Sequence, residues 1–459
     1  MTVNPADSEI FGALFGTDAM RALFSDRRRV QAMLDVEAAL ARVQARLGLI
    51  PKDSARDIAK AAKVENISLA ALAKGTALAG VPVAALAAEL RRASGNKAGR
   101  WVHWGATSQD IVDTSLVLLL REGLELIEAG LRRLGDDLAD LAKRHRLLPM
   151  AGRTLLQQAL PVSFGYKSAI WLAPLTGHLQ RLAELRRRLL VVQLGGAVGT
   201  LAALKSRRRA TTEGLARELG LGVAAAPWQA NREAMAEAAG VLGLICGSLA
   251  KFASDIVLLS QTELGELSEP KDDGRGGSSA LPQKQNPVAS VQVLACARGV
   301  QALVPLMFGA LAGEQERSAG AWQSETLALP QIFTLTSGAL AHAETIAAGL
   351  TVDAARMKTN LGLTNGLVVS EAVMVALVET AGRSLAQEIV KRASQQALAG
   401  RISFAEALAG DKDAARYLDN RAIARLTEPA NYLGESSQVV DRVLASWRRA
   451  QSRAAKTRA

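Results

Sequence analysis

The sequence predicts an all-α fold organised around a central bundle of long helices. Three observations carry this. Hydrophobic residues make up 49% of the 459, mostly as Ala and Leu, while aromatics reach only 4%, a balance that favours helix over sheet. Only 13 prolines interrupt the chain, which permits long helices. Apolar residues also recur at spacings of three and four over runs much longer than an average helix. The length allows several domains and a large core. We expect an N-terminal helical domain over 1–112, a central long-helix bundle over 113–351, and a small C-terminal helical domain over 352–459.

Taken in order, Arg29–Leu47 reads as an amphipathic helix through Met33, Val36, Leu40, Val43 and Leu47, stopped by Gly48 and Pro51. Ala55–Arg92 is Ala-rich and helical, with breaks expected at Gly75 and at Gly80–Pro82, and Ser94–Arg100 reads as a polar turn. From Asp113 the scale changes. Leu116, Leu120, Leu124, Ile127, Leu131, Leu134, Leu138 and Leu141 predict a helix about 40 Å long. Further stripes run from Leu175 to Val192 and from Leu242 to Leu259, and another apolar helix runs from Val288 toward Leu311. Stripes of this length need partners, so we expect their faces to be buried against other subunits.

Several function classes are excluded by composition. The N-terminus has no basic segment followed by an apolar one, so no signal peptide is expected. The uncharged run Thr326–Ala343 contains Pro330, Gln331, Ser337 and His342, which argues against a membrane span. Cys246 and Cys296 sit in apolar helical surroundings and read as reduced, buried thiols of a cytoplasmic protein. The four histidines lack ligand spacing, so no metal is expected. Leu194–Thr200 is Gly-rich without a strand–turn–helix context, so no dinucleotide is expected and no cofactor is implied. Net charge is +11, clustered at Arg27–Arg29, Arg186–Arg188, Arg207–Arg209 and in the tail from Arg448. Without interleaved aromatics or a reading motif these clusters read as solvated helix faces and not as a nucleic-acid footprint. The positive field does suit a small polyanion.

Two polar stretches stand out against the helices. Gly274–Pro287, GRGGSSALPQKQNP, combines helix-breaking Gly and Pro with two hydroxyls, an amine and an amide. Such groups can hold an anion whose charge must be stabilised while a proton moves. Trp101–Asp113, WVHWGATSQDIVD, holds His103, Thr107, Ser108, Gln109 and Asp110 ahead of an apolar helix. The Thr-Ser-x-Asp order is a capping pattern, and a helix N-terminus also binds anions, so both readings stay open. His103 beside two tryptophans is either a structural hydrogen-bonder or a site residue.

GSSALPQKQNP resembles the signature loop of the fumarase/aspartase superfamily, with Leu281 where Met is usual, and the resemblance extends from about Phe11 to Gly434. It implies a three-domain fumarase/aspartase-like fold, and a homotetramer whose active sites are shared between subunits and take a small polycarboxylate. By resemblance, Ser278 is the catalytic loop serine. Lys284 and Asn286, with Ser279 beside them, hold the carboxylate that takes up charge, and Thr107, Ser108 and Gln109 hold another. His103 matches a histidine close to the substrate. The segment Gly152–Gly165 resembles a second shared region, which places Thr154 and Gln157 near the substrate. There the lyases carry Thr-His, but Leu155 follows Thr154. The partner glutamate of that histidine would fall at Val291. Arg232, in WQANR, and Arg317, in EQERSAGAWQ, resemble further substrate-holding arginines. The alternatives are a buried Trp with an exposed Arg232, and an Arg317 paired to Glu314 or Glu316.

Losing both members of the acid pair fits a departing carboxylate, which leaves unaided because its conjugate acid has a pKa of about 4. In reverse, a tethered carboxylate closes a lactone. The resemblance therefore implies the cycloisomerase branch of the superfamily, acting on a carboxylated or sulfonated muconate. An amine-releasing or fumarate-releasing lyase is the alternative.

Overall fold

A computed structural model describes residues 4–271, 276–278, 280–400 and 402–458, with side chains to Ser452. Helix dominates, as composition and stripe length predict. The elements that carry or flank the candidate residues are α1 (Asp26–Arg46), α2 (Ser108–Arg144), the hairpin strands β1 (Pro149–Thr154) and β2 (Gln157–Ser163), α3 (Phe164–Leu189), α4 (Glu233–Leu259), α5 (Val288–Gly309) and α6 (Ala321–Gly349). Two compact units make up the chain. One comprises Met1–Gly130, His178–Leu249 and Gln292–Ala341; the other comprises Leu131–Gly177, Ala250–Val291 and His342–Ala459.

In the first unit, α1 is capped by Ser25, whose hydroxyl accepts from the Arg28 amide, and it buries Val30, Leu34, Val36 and Leu40. Helices Lys52–Ala61, Leu69–Ala79 and Val83–Gly99 pack with it over a core of Ile58, Leu72, Leu86 and Leu90. Two expected breaks differ. Gly75 lies inside its helix, where a Cβ would come 2.5 Å from that of Ala85, so this glycine allows close approach and does not end the helix. Residues 94–99 continue the helix Val83–Gly99 through a kink at Gly95, whose φ is +78°.

Helix α2 has 37 residues and is about 55 Å long, more than the Leu stripe alone indicated, because it begins at the Thr-Ser pair and not at Asp113. Its packing against α6 is close: a Cβ at Gly123 would meet the Phe333 ring at 2.7 Å. Helices α3 and α4 are joined in the same unit by His178 Nε2 and Ser248 Oγ at 2.9 Å. Burial pushes the His178 imidazole down to about 4.

In the second unit, Trp171 of α3 stacks edge-on to Phe252 of α4 and donates to Asp255 at 2.8 Å. The antiparallel hairpin β1–β2 also lies here, and the helical reading of the sequence did not foresee it. Its turn is Leu155–Leu156, at φ +51° and +66°, a left-handed conformation that L side chains adopt at a cost. Neither residue is a turn former, so the hairpin carried no local signal. Val373, Leu377, Ile389 and Phe404 form a small core among the shorter helices after residue 369.

Candidate active site

The first cluster grows from the start of α2. The side chain of Asp110, in the first turn, reaches back to the Thr107 amide at 3.0 Å. The same carboxylate accepts from the amides of Gly195 and Gly196 at 2.8 and 2.9 Å and from Gln193 Nε2 at 3.2 Å. Burial pushes Asp110 above the usual carboxylate range, opposed by these four donors. Asp110 thus clamps the Gly-rich loop 194–200 to the helix start. The Thr107 hydroxyl is left to accept from Arg317 Nη2 at 3.2 Å.

Arg317 is the second member. Its Nε donates to Gln109 Oε1 at 3.0 Å, and Nη2 also reaches the Ala197 carbonyl at 3.2 Å. The guanidinium is oriented by these groups and not by Glu314 or Glu316, and the residue is exposed in the single chain. Gln109 is buried, and its amide donates to the Gln229 carbonyl at 2.8 Å, so it acts as the backstop that aims Arg317. Thr107 and Ser108, both half-buried, then lie where first-turn amides, a hydroxyl and a guanidinium converge. That combination is chemically able to hold a carboxylate.

His103 stands just before this turn at φ +65°, with Nδ1 2.6 Å from Glu37 Oε1 of α1. Glu37 is 2% exposed. Gln44, one heptad along the same helix and equally buried, donates to the Trp104 carbonyl at 2.6 Å. The sequence reading missed Glu37. Its signal was the stripe Val30, Leu34, Glu37, Ala41, Gln44, an otherwise apolar face interrupted twice by polar residues.

Arg232 lies apart from this group. It is 4% exposed and stacks over Trp228 at 4.9 Å. Its Nη1 and Nη2 donate to Asp113 at 2.7 and 3.0 Å, and Nε donates to Glu325 at 2.7 Å. Trp322 Nε1 completes the cluster on Asp113 at 3.0 Å. Burial acts to lower the Arg232 pKa, but the two carboxylates outweigh it and hold the residue firmly cationic. Arg232 thus sits between two buried carboxylates, and the alternative of an exposed Arg232 does not hold.

In the second unit, the signature loop is closed at its neck. Asn286 donates its backbone amide and its Nδ2 to the Gly276 carbonyl at 2.8 and 3.1 Å, and Gly277 bridges Gln285. Gly276 has φ +68°, and a Cβ there would come 2.4 Å from the Asn286 carbonyl oxygen, so only glycine fits. Glu269, buried, accepts from the amides of Ala289 and Ser290 at 3.0 and 2.7 Å and anchors the loop to the start of α5. Above the neck, Ser278 Oγ accepts from the Leu281 amide at 3.2 Å, and Lys284 is exposed. Ser278, Lys284 and Asn286 therefore share one pinned loop, whereas Ser279 lies outside the described residues.

Thr154 and Gln157 form the last cross-strand pair of the β1–β2 hairpin, both exposed, and flank the Leu155–Leu156 turn. Leu155 is 97% exposed, and Val291, in the first turn of α5, is 49% exposed. Both positions that would carry the acid pair are thus apolar and open. Among the described residues no group of His, Cys, Asp and Glu is arranged to hold a metal ion.

Comparison with known proteins identifies the family. A family described as Lyase matches residues 15–301, and Adenylosuccinate lyase C-terminus matches 366–443. The chain is 46% identical to the 3-carboxy-cis,cis-muconate cycloisomerase of Pseudomonas aeruginosa over 95% of its own length and 96% of that protein. The crystal structure of the 3-carboxy-cis,cis-muconate lactonizing enzyme from Pseudomonas putida superposes with a TM-score of 0.93 at 44% identity, covering 97% of this chain and all of that one. Trans-aconitate decarboxylase 1 of Mycosarcoma maydis is 41% identical over 94% of the chain and 87% of that protein. On the signature loop, the helical architecture and these full-length similarities together, the chain belongs to the Lyase family of the fumarase/aspartase superfamily.

Proposed function

We propose that this chain is a 3-carboxy-cis,cis-muconate cycloisomerase, closing the substrate to 4-carboxymuconolactone in protocatechuate breakdown. The observation that carries the proposal is that Leu155 and Val291, the positions the resemblance assigns to the acid pair of an amine-expelling or hydroxide-expelling enzyme, are both apolar and exposed. The names and identities of the relatives support the same reading.

One substrate carboxylate, already ionised at neutral pH, adds to a double bond and forms the ring C–O bond. The displaced π electrons move to the carbon beside a second carboxylate and delocalise as an aci-carboxylate. Lys284 and Asn286 stabilise that charge, and Ser278 delivers the proton to carbon. Thr107, Ser108 and Arg317 hold the remaining carboxylate, Gln109 aims Arg317, and His103 orients the substrate. Thr154, Gln157 and Ser279 border it.

The working assembly is a homotetramer in the cytoplasm, with site segments drawn from separate subunits. Exposed apolar residues support this: Leu244 on α4, Val291, Leu306 and Phe308 on α5, and Leu327 on α6. Helices α4 and α5 are long and apolar enough to cross a bilayer. We assign their open faces to contact between copies. The three-domain division at 112 and 351 belongs to the same proposal.

The test offers the purified protein 3-carboxy-cis,cis-muconate, its sulfo analogue, trans-aconitate and an adenylosuccinate-type substrate separately. Loss of diene absorbance with the carboxy compound is expected. An inert carboxymuconate together with fumarate release from the last substrate overturns the proposal.

A further inference from the structure

We propose that Glu37, buried in α1, is a positioning residue for the ring closure, orienting His103 through Nδ1 so that Nε2–H is offered as a donor to a substrate carboxylate. The inference rests on the function proposed above and adds a residue that neither the signature loop nor the Thr-Ser region contains.

The geometry is specific. Glu37 is 2% exposed, and among the described residues its one hydrogen-bond partner is the imidazole, at 2.6 Å. A carboxylate removed from water needs a paired cation or donor. Nδ1–H supplies it, which fixes the ring's orientation and leaves Nε2 as the outward atom. Among the described residues Nε2 has no partner, and the His103 side chain keeps 15% of its surface open. His103 also sits at φ +65°, an uncommon conformation for a residue with a Cβ. Gln44 holds the adjoining Trp104 carbonyl from the same face of α1, so two buried polar side chains of one helix brace the segment. Four residues on is Thr107, the acceptor of Arg317.

The charged groups facing the imidazole are Glu37 on α1, Asp110 on α2, and Arg91 on the helix Val83–Gly99. Burial acts to lower the His103 pKa and Arg91 opposes the charge as well, but the hydrogen bond and charge of Glu37, with Asp110, outweigh both and raise it. The imidazolium therefore persists to higher pH than an ordinary histidine. Carboxylate binding by Nε2–H is strong below that raised pKa and is lost as pH rises through it.

Glu37→Gln keeps the shape and removes the charge. We expect KM for carboxymuconate to rise about tenfold near pH 7.5, as for loss of a charge-assisted hydrogen bond, with kcat within about twofold. The pH at which KM begins to climb moves toward acid, and Glu37→Asp restores part of the shift. The chain has four histidines, so carbon-13 labelling of the imidazoles allows His103 to be titrated without substrate, and its midpoint should fall in Glu37→Gln. An unchanged KM–pH profile in an active enzyme, or an unchanged His103 midpoint, overturns the proposal. Should the wild-type protein leave muconates untouched, the function fails and the titration alone decides whether Glu37 governs His103.

Discussion

Replacing Arg232 by methionine removes the one cation from between Asp113 and Glu325. All three side chains are at most 3% exposed, and Arg232 makes two hydrogen bonds to Asp113 with others to Glu325. Breaking a buried ion pair by removing one partner costs about 3–5 kcal/mol, because the charge left behind is uncompensated. Here one guanidinium serves two carboxylates, so the upper end of that range applies. The expected fall in Tm is about 10 °C, at roughly 2 °C per kcal/mol for a large domain. The deficit also depends on pH. Burial already pushes Glu325 above the usual range despite Arg232, and losing the cation raises it further. A carboxyl with a raised folded pKa contributes stability that is present below its unfolded value and lost as pH rises. Arg232→Met should therefore be more damaged at pH 8 than at pH 5. Urea denaturation at both values, with KM measured on the folded fraction, checks this. An unchanged midpoint with a large rise in KM would show Arg232 touching substrate and refute the structural role.

Two further outcomes follow from strain and burial. Leu155→Asn with Leu156→Gly replaces two left-handed leucines by the pair such a turn prefers, and should raise stability by about 1–3 kcal/mol in urea denaturation; a lower midpoint would show the leucines stabilising the fold. His178, held near 4 by burial, is neutral in the folded protein, so its contribution is present above the ordinary histidine pKa and lost as pH falls toward 4. That loss amounts to about 3 kcal/mol. His178→Gln should flatten this acid limb of stability, and an unaltered limb would contradict the burial argument.

What could be read in the sequence divides by physical range. Long helices were legible because each writes its own periodicity, as the stripe from Leu116 to Leu141 does within α2. The loop with Ser278, Lys284 and Asn286 was legible because its glycines and prolines are local breakers, and Gly276 indeed occupies a place no side chain can enter. The hairpin was not legible. Its turn uses leucines at positive φ, against local preference, and its pairing is fixed by tertiary context. The partners of Arg232 were not legible for a similar reason. Whether a guanidinium meets substrate or two buried carboxylates depends on residues 93 and 119 positions away. Glu37 pairs across 66 positions, and only the interruption of an apolar face hinted at it.

The central claim is that ring closure needs one hydroxyl to manage a proton while the nucleophile arrives already charged. Turnover of carboxymuconate by Ser278→Ala, followed as loss of diene absorbance with KM measured alongside, tests it most directly. The account predicts kcat about 10²–10⁴-fold lower, the usual contribution of a positioned proton donor, with KM little changed. Turnover near that of the unaltered enzyme would contradict it.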